Sequence, residues 1–337
     1  MAEYVFSQAS KLNEGVFGRV IDPMMMMLEK KGEAFEQQSL IPLLYVKDSV
    51  KTKTTSLGSM TSMMGPKPVG EGGDYPTDGF QEGYRKVLEV ETWKQEFEVT
   101  KEAADDNDQI QLVNKPIAQL TAWYRAVELF ALRMYGEAVL GNTSFKELNT
   151  TFDTTTADGV CLFSTSHPSK TGRKNAQSNL FADAFSADAL AEIECRMHAF
   201  ADDNGNILDV TPGTILIPSI GSLKKAVFAA IGADVDPDTA NNGANFLCGR
   251  WNVIVTPYMN AYCTVTNPAP WIVLSKAYNE TNIGAIWLDR EKMNVRNTIE
   301  GNDNLKVKIR GRFGAGFNDW RFAACGGISG GTQMISA

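Results

Sequence analysis

The chain has 337 residues, 43% apolar and 21% charged, enough for one elaborate domain or two around a sizeable core. Its net charge of -8 argues against a sequence-reading DNA binder, which needs a basic face to neutralise phosphates. Five scattered cysteines without a CxxC pair and only two histidines argue against a disulfide framework and a zinc centre; buried thiols in a reducing compartment are expected.

Residues 1–40 read as an arm. No basic flank precedes an apolar run there, so no signal peptide is expected, and the protein should be cytoplasmic where it is made. Asp22 and Pro23 form a helix start, Met24 to Lys31 continues it, and Gly32 can end it. Four successive methionines, Met24 to Met27, cover the whole circumference of a helix. Such a helix either sits in its own core or lies on a neighbouring subunit, where flexible Met side chains fill irregular gaps.

Residues 45–63 are rich in β-branched residues, and residues 84–99 alternate in part. In the second segment Val87, Trp93, Phe97 and Val99 share one face, while Leu88 and Val90 fall on the other. Between the two lies MGPKPVGEGGDYPTDGF, a loop dense in Gly and Pro. Two polar strands around a wide tip predict a large hairpin that is marginal alone and needs a partner surface.

The clearest helix covers 116–140, with Pro116 at its start and Ile117, Leu120, Tyr124, Val127, Ala131, Met134 and Ala138 on one stripe. It would be about 37 Å long. Residues 143–185 are loop-rich. A second helix is expected over 186–201 with Ser186 as cap, followed by a turn over Asp202–Asn206. The stretch ILDVTPGTILIPSIGS reads as strand, turn, strand, and Lys224 to Ile231 as a third helix. Trp251–Pro257 and Trp271–Ser275 read as short buried strands. The uncharged stretch from Trp251 to Ser275 holds three prolines and is no membrane helix. Three strand-like runs follow from Ala285, the first two joined by a hairpin signal at Glu300–Asn304.

The stretch FSTSHPSKTGRKN, 163–175, places Ser166 beside His167. Neighbours in an extended chain point to opposite faces, so they make a poor nucleophile and base pair. Lys170, Arg173 and Lys174 lack the glycine pattern of a phosphate cradle and read as a solvated or subunit-contact loop. Gly327-Ile328-Ser329-Gly330-Gly331 matches a nucleophile elbow in letters, but no helix follows it in the six remaining residues. The acidic run at Asp202 lacks the glutamate that a calcium loop places twelfth. No catalytic residue, cofactor or metal site is expected.

The order of elements resembles the major capsid protein of tailed bacteriophages, the Hong Kong 97-type fold. The carrying residues are Asp158-Gly159-Val160-Cys161-Leu162-Phe163-Ser164-Thr165-Ser166-His167-Pro168 followed by Asn175; Glu71-Gly72; Phe97 to Glu102; Ile215-Leu216-Ile217-Pro218; and Asp319-Trp320-Arg321. The resemblance runs in order along nearly the whole chain. It implies an α+β fold with an N-terminal arm (1–45), an extended β-hairpin loop (46–88), a peripheral domain (89–185 and 281–337) with the long helix as its spine, and an axial domain (186–280).

The resemblance also implies self-assembly into pentamers and hexamers of an icosahedral head enclosing double-stranded DNA, without enzymatic activity, cofactor or membrane. Partners would be a separate scaffold protein, a portal and decoration proteins. Candidate subunit contacts are Met24, Met27, Lys53, Lys67, Glu71, Tyr75, Arg85, Lys170, Arg173 and Lys174. Two rival readings stand beside it: an encapsulin-type nanocompartment shell with protein cargo, and a soluble serine hydrolase using Ser166 and His167 or Ser329.

Overall fold

Two four-stranded sheets and one long helix organise the molecule. The computed structural model describes residues 30–60, 63, 65–77, 79, 82–100, 109–232, 245–299 and 305–334. Residues 30–38 are helical (α1), followed by α2 (Ile41–Leu44) and β1 (Val46–Ser49). Then come β2 (Thr54–Met60), β3 (Glu82–Glu89), β4 (Glu91–Val99), α3 (Gln109–Val139), β5 (Ser144–Glu147) and β6 (Thr150–Asp153). The second half runs α4 (Ala187–His198), β7 (Thr214–Pro218), α5 (Gly221–Gly232), β8 (Asn252–Thr256), a 3-10 turn (Pro257–Tyr262) and β9 (Trp271–Leu274). It closes with α6 (Lys276–Asn282), β10 (Ala285–Ile299), β11 (Leu305–Phe317) and β12 (Ala323–Gly326).

The first sheet has the order β1-β10-β11-β4 and the second β12-β9-β7-β8. Helix α3 lies on the first sheet through a cluster of aromatic rings. Phe313 of β11 stacks on Trp93 of β4 at 4.9 Å and on Trp287 of β10 at 5.0 Å, and meets Trp123 of α3 edge-on. Each such ring pair adds about 0.5–1.5 kcal/mol beyond its buried area. Tyr45 and Tyr135 tie the entry of β1 to α3: Tyr45 Oη donates to Ala131 O at 2.7 Å, and Tyr135 Oη to Leu44 O at 2.8 Å. One hydrophobic cluster runs from here into the second sheet, where β7 and β9 are buried along their whole length.

Several elements differ from the sequence reading. Helix α3 begins at Gln109 and passes through Pro116. A proline at a helix start reads the same as one in the interior, where the lost hydrogen bond costs about 3 kcal/mol and the stripe packed on the first sheet offsets it. Gly32 does not end a helix; it is buried inside α1. Of ILDVTPGTILIPSIGS only Thr214–Pro218 is a strand, because Pro212 and Gly213 leave the preceding residues outside the sheet. The short hairpin β5-β6 and helix α6 fall where no element was expected.

Residues 84–99 are not one strand. β3 pairs with β2, and β4 pairs with β11 in the first sheet. The switch at Val90 explains the mixed parity: Leu88 and Val90 are buried while Val87 is 51% exposed, and beyond the switch Trp93 and Phe97 turn to the core. Not all thiols are buried. Cys161 and Cys325 are, whereas Cys195 is exposed because it lies off the stripe of α4 that buries Leu190, Ile193 and Met197. Met24, Met27, the cap at Asp22, and the turn at Glu300–Asn304 lie outside the described residues.

Candidate functional site: a projecting hairpin and its root

β2 and β3 form a separate two-stranded sheet, in register from Thr54 opposite Glu89 to Met60 opposite Glu82. Every described residue from 65 to 77 is exposed, and Tyr75 is 95% exposed. The tip turns at Glu71-Gly72: Gly73 N donates to Gly70 O at 2.9 Å, and Gly72 has φ of 80°, the sign a type II turn requires at its third position. A two-stranded hairpin of this kind is marginal in water. What stability it has comes from its root.

The root is held in three ways. Leu88 and Val90 pack with Ile286 and Leu288 in a small apolar cluster. β11 supplies a flat track beneath them, since a Cβ on Gly316 would sit 2.3 Å from Leu88 Cδ2 and one on Gly314 2.5 Å from Glu89 O. Lys86 is buried, and its Nζ donates to Asp153 Oδ2 at 2.5 Å and to Thr155 Oγ1 at 2.8 Å. Exposed pairs add little: Lys53 lies 3.3 Å from Glu89 and 3.8 Å from Glu91, and Arg85 Nε donates to Ser56 Oγ.

The loop 163–175 lies against this root. Tyr84 Oη donates to Pro168 O at 3.4 Å, and Lys170 Nζ stands 4.9 Å from the centre of the Tyr84 ring. Partial burial raises the pKa of the Tyr84 hydroxyl, and the charges of Asp203 and Asp158 raise it further. Arg173 Nη1 donates to Asn204 Oδ1 at 3.3 Å, and Lys174 is half-buried.

His167 is buried, and both of its ring nitrogens are engaged: Nδ1 with Asp158 Oδ2 at 2.7 Å and Nε2 with Asn179 Oδ1 at 3.1 Å. Asn179 Nδ2 donates to Leu162 O at 2.8 Å and Ala323 O at 3.0 Å, and its Oδ1 accepts from Ser164 N at 2.9 Å. These partners orient the amide with its oxygen toward the histidine. Nε2 therefore carries a hydrogen. On the other side Asp158 also accepts from Val160 N at 3.0 Å and bonds the Thr156 hydroxyl. Burial pushes the Asp158 carboxyl up, but the hydrogen bond and charge of His167 and the bonds from Thr156 and Val160 outweigh it, and the pKa is lowered. Both ring nitrogens of His167 thus have a fixed partner, and its ring stacks on Trp320 at 4.4 Å.

This geometry leaves no role for His167 as a base toward Ser166, which is exposed while the imidazole is committed on both sides. Ser329 lies in an exposed turn and donates its N–H to Asn267 Oδ1 at 2.7 Å. The acidic run is a turn, with Asp202 Oδ1 accepting from Asn204 N and Asn206 N. Of the sequence-predicted contact residues, Lys67, Glu71 and Tyr75 share the exposed tip, Lys53 and Arg85 lie on the hairpin below it, and Lys170 reaches the hairpin from the loop. Sequence reasoning gives no role to Lys86, Asp153 or Asn179, whose partners are distant in the chain, and names Asp158 only within the stretch 158–168 that carries the resemblance.

Solved structures similar to this fold come from phages. The chain is similar to a solved structure from Mycobacterium phage Patience, at 11% identity and a TM-score of 0.53, covering 100% of this chain and 96% of that one. It is also similar to the capsid structure of the cyanophage P-SCSP1u, at 9% identity and a TM-score of 0.53, covering 85% and 86%. A third is the capsid of Ralstonia phage GP4, at 7% identity and a TM-score of 0.51, covering 85% and 87%. The fold is thus the mixed α+β fold of phage capsid subunits. Residues 83–325 match the family model described as phage capsid protein, and the chain belongs to that family. A search of curated proteins gave no match. The resemblance to tailed-phage major capsid proteins read from the sequence is borne out.

Proposed function

We propose that the chain is the major capsid protein of a tailed phage with the Hong Kong 97-type fold, and that it assembles as pentamers and hexamers into an icosahedral head enclosing double-stranded DNA. The observation that carries this reading is the hairpin β2-β3: its strands rest on the fold through Leu57, Tyr84, Leu88 and Val90, while every described residue of its long tip from 65 to 77 is exposed. A chain keeps such an element when a neighbouring subunit covers it. Head-to-tail contacts of this kind close into rings by rotation.

In this reading residues 1–45 are the arm and 46–88 the extended loop. Residues 89–185 and 281–337 form the peripheral domain with α3 as spine, and 186–280 the axial domain facing the ring axes. Strand β12 hydrogen-bonds to β9, so the C-terminal segment links the two domains. The net charge of -8 suits a shell in which packaged DNA slides without sticking. Scaffold, portal and decoration proteins are the expected partners, and among the described residues no helix is long and apolar enough to cross a membrane. Electron microscopy of the purified protein, alone and co-expressed with its scaffold, tests the reading. Closed shells are expected; a chain that stays monomeric in both preparations refutes it.

A further inference from the structure

Where α1 meets α3, β10 and β11 the fold encloses a cavity of about 220 Å³. That is below the roughly 300–1,000 Å³ of sites for drug-sized ligands, and it suits a small molecule. Trp123 and Tyr124 of α3, Trp287 of β10 and Phe313 of β11 supply aromatic walls. The rings hold one another in place. Phe313 stacks on Trp287 at 5.0 Å and meets Trp123 edge-on, and Phe35 of α1 stacks on Tyr124 at 5.1 Å. The walls are thus formed before any ligand arrives.

Four carboxylates line the same cavity, Glu36, Glu128, Asp289 and Glu291, against two cations, Lys47 and Lys292. Of the four, only Glu291 makes an ion pair among the described residues, with Arg310 at 3.3 Å. Glu128 is divided. Its Oε1 accepts from Leu40 N at 3.0 Å, while its Oε2 is buried and has no hydrogen-bond partner among the described residues. A buried acceptor left open costs about 1–3 kcal/mol, and more when it is charged. Such an atom points to a donor that the chain itself does not supply. Asp289 Oδ1 accepts from Trp287 Nε1 at 2.8 Å. Burial nevertheless raises the Asp289 pKa by more than that bond and the charges of Lys47 and Lys292 lower it, so its charge is not fully compensated.

These features select the ligand by class. Anions are repelled by the carboxylates. A metal ion does not fit, because among the described residues no three histidines, cysteines or carboxylates gather to hold one. Aromatic faces attract a cation that carries apolar groups, and methylenes gain by burial against rings. More than one carboxylate lacks a counter-charge, so a dication fits better than a single ammonium. We propose that this cavity binds a linear aliphatic diamine, one ammonium donating to Glu128 Oε2, the other to Asp289, with the methylene chain along Trp123 and Trp287. The bound diamine fastens α1 to α3 and β10, since Leu40 at the end of α1 is already tied to Glu128. The site does not depend on the assembly reading.

The test titrates the purified, unassembled full-length chain with 1,4-diaminobutane in a calorimeter. Binding at one site per chain is expected, with n-butylamine weaker by about tenfold or more, as it can make only one of the two charged hydrogen bonds. E128Q and D289N should each weaken the diamine by about tenfold, and E280Q, an exposed carboxylate of α6 outside the cavity, should leave it unchanged. On the wild-type chain the diamine should slow hydrogen exchange over residues 30–44. The absence of binding heat overturns the proposal, as does equal binding of n-butylamine or magnesium chloride, which marks a general counterion effect. Unchanged affinity in E128Q and D289N chains that melt like wild type also overturns it. Should either variant fail to fold, the wild-type exchange decides: no slowing over residues 30–44 at saturating diamine refutes the site.

Discussion

Replacing Asp158 by alanine tests the buried His167–Asp158 pair directly. In the folded chain His167 is 1% exposed, and its Nδ1–H has one acceptor, the Asp158 carboxylate at 2.7 Å. Asp158→Ala leaves the buried Nδ1 without its partner, and breaking a buried pair from one side costs about 3–5 kcal/mol. Asp158→Asn should cost less, about 1–2 kcal/mol, because the new amide can still hydrogen-bond Nδ1 while Nε2–H still serves Asn179. The double variant Asp158→Ala/His167→Phe removes both partners and keeps an aromatic ring on Trp320. It should be less destabilised than the sum of its singles by about 1–3 kcal/mol. Urea unfolding of the unassembled chain, followed by tryptophan fluorescence, reads all three, since Trp320 lies 4.4 Å from the histidine ring. An Asp158→Ala variant within about 1 kcal/mol of wild type, or strictly additive singles, would refute the coupling of the buried pair.

The same node sets an acid limb: Asp158 has a lowered pKa in the fold, so its stabilisation is complete above the unfolded value of about 3.9 and is lost as pH falls below it; Asp158→Asn should flatten that part of the stability curve. At the hairpin root, Asp153→Ala strands the buried Lys86 ammonium and should destabilise more than Lys86→Met, which leaves a carboxylate that is 53% exposed and can hydrate; the opposite order in unfolding midpoints would show that the ion pair is not what anchors the hairpin. Gly316→Val drives a side chain into Leu88, and faster hydrogen exchange over residues 84–90 with loss of closed particles is the expected result. Gly136→Val sets new atoms against the Tyr262 ring, which lies 2.2 Å from where a Cβ would stand, and should cost about 1–3 kcal/mol, read as a lowered melting temperature.

Local chemistry made much of the molecule legible. The apolar spacing from Leu120 to Ala138 shows as a helix, with Leu120, Ala131, Met134 and Ala138 buried and Tyr124 and Val127 half-buried. The Ser186 cap is where the residue type says it should be, with its Oγ accepting from Ala189 N at 3.0 Å. The Gly- and Pro-rich run 65–76 gives an exposed turn, because those residues cannot continue a strand. The instability of the hairpin also followed from composition: its strands have few large apolar side chains to bury.

Other features were decided only by packing. The segment 84–99 changes sheet at Val90, and no local property marks that residue as a boundary; the change exists because β11 offers an edge to β4 and a glycine track to the root of β3. His167 looked like surface chemistry beside Ser166, and it is instead a buried ring held by Asp158 and Asn179. Those partners lie nine and twelve residues away, and Asn179 is oriented by carbonyls as distant as Ala323. The sequence by itself determined periodicity, caps and turns, which depend on neighbours along the chain. Tertiary structure decided which polar groups became buried partners, since the energy of a buried charge depends on what surrounds it in space.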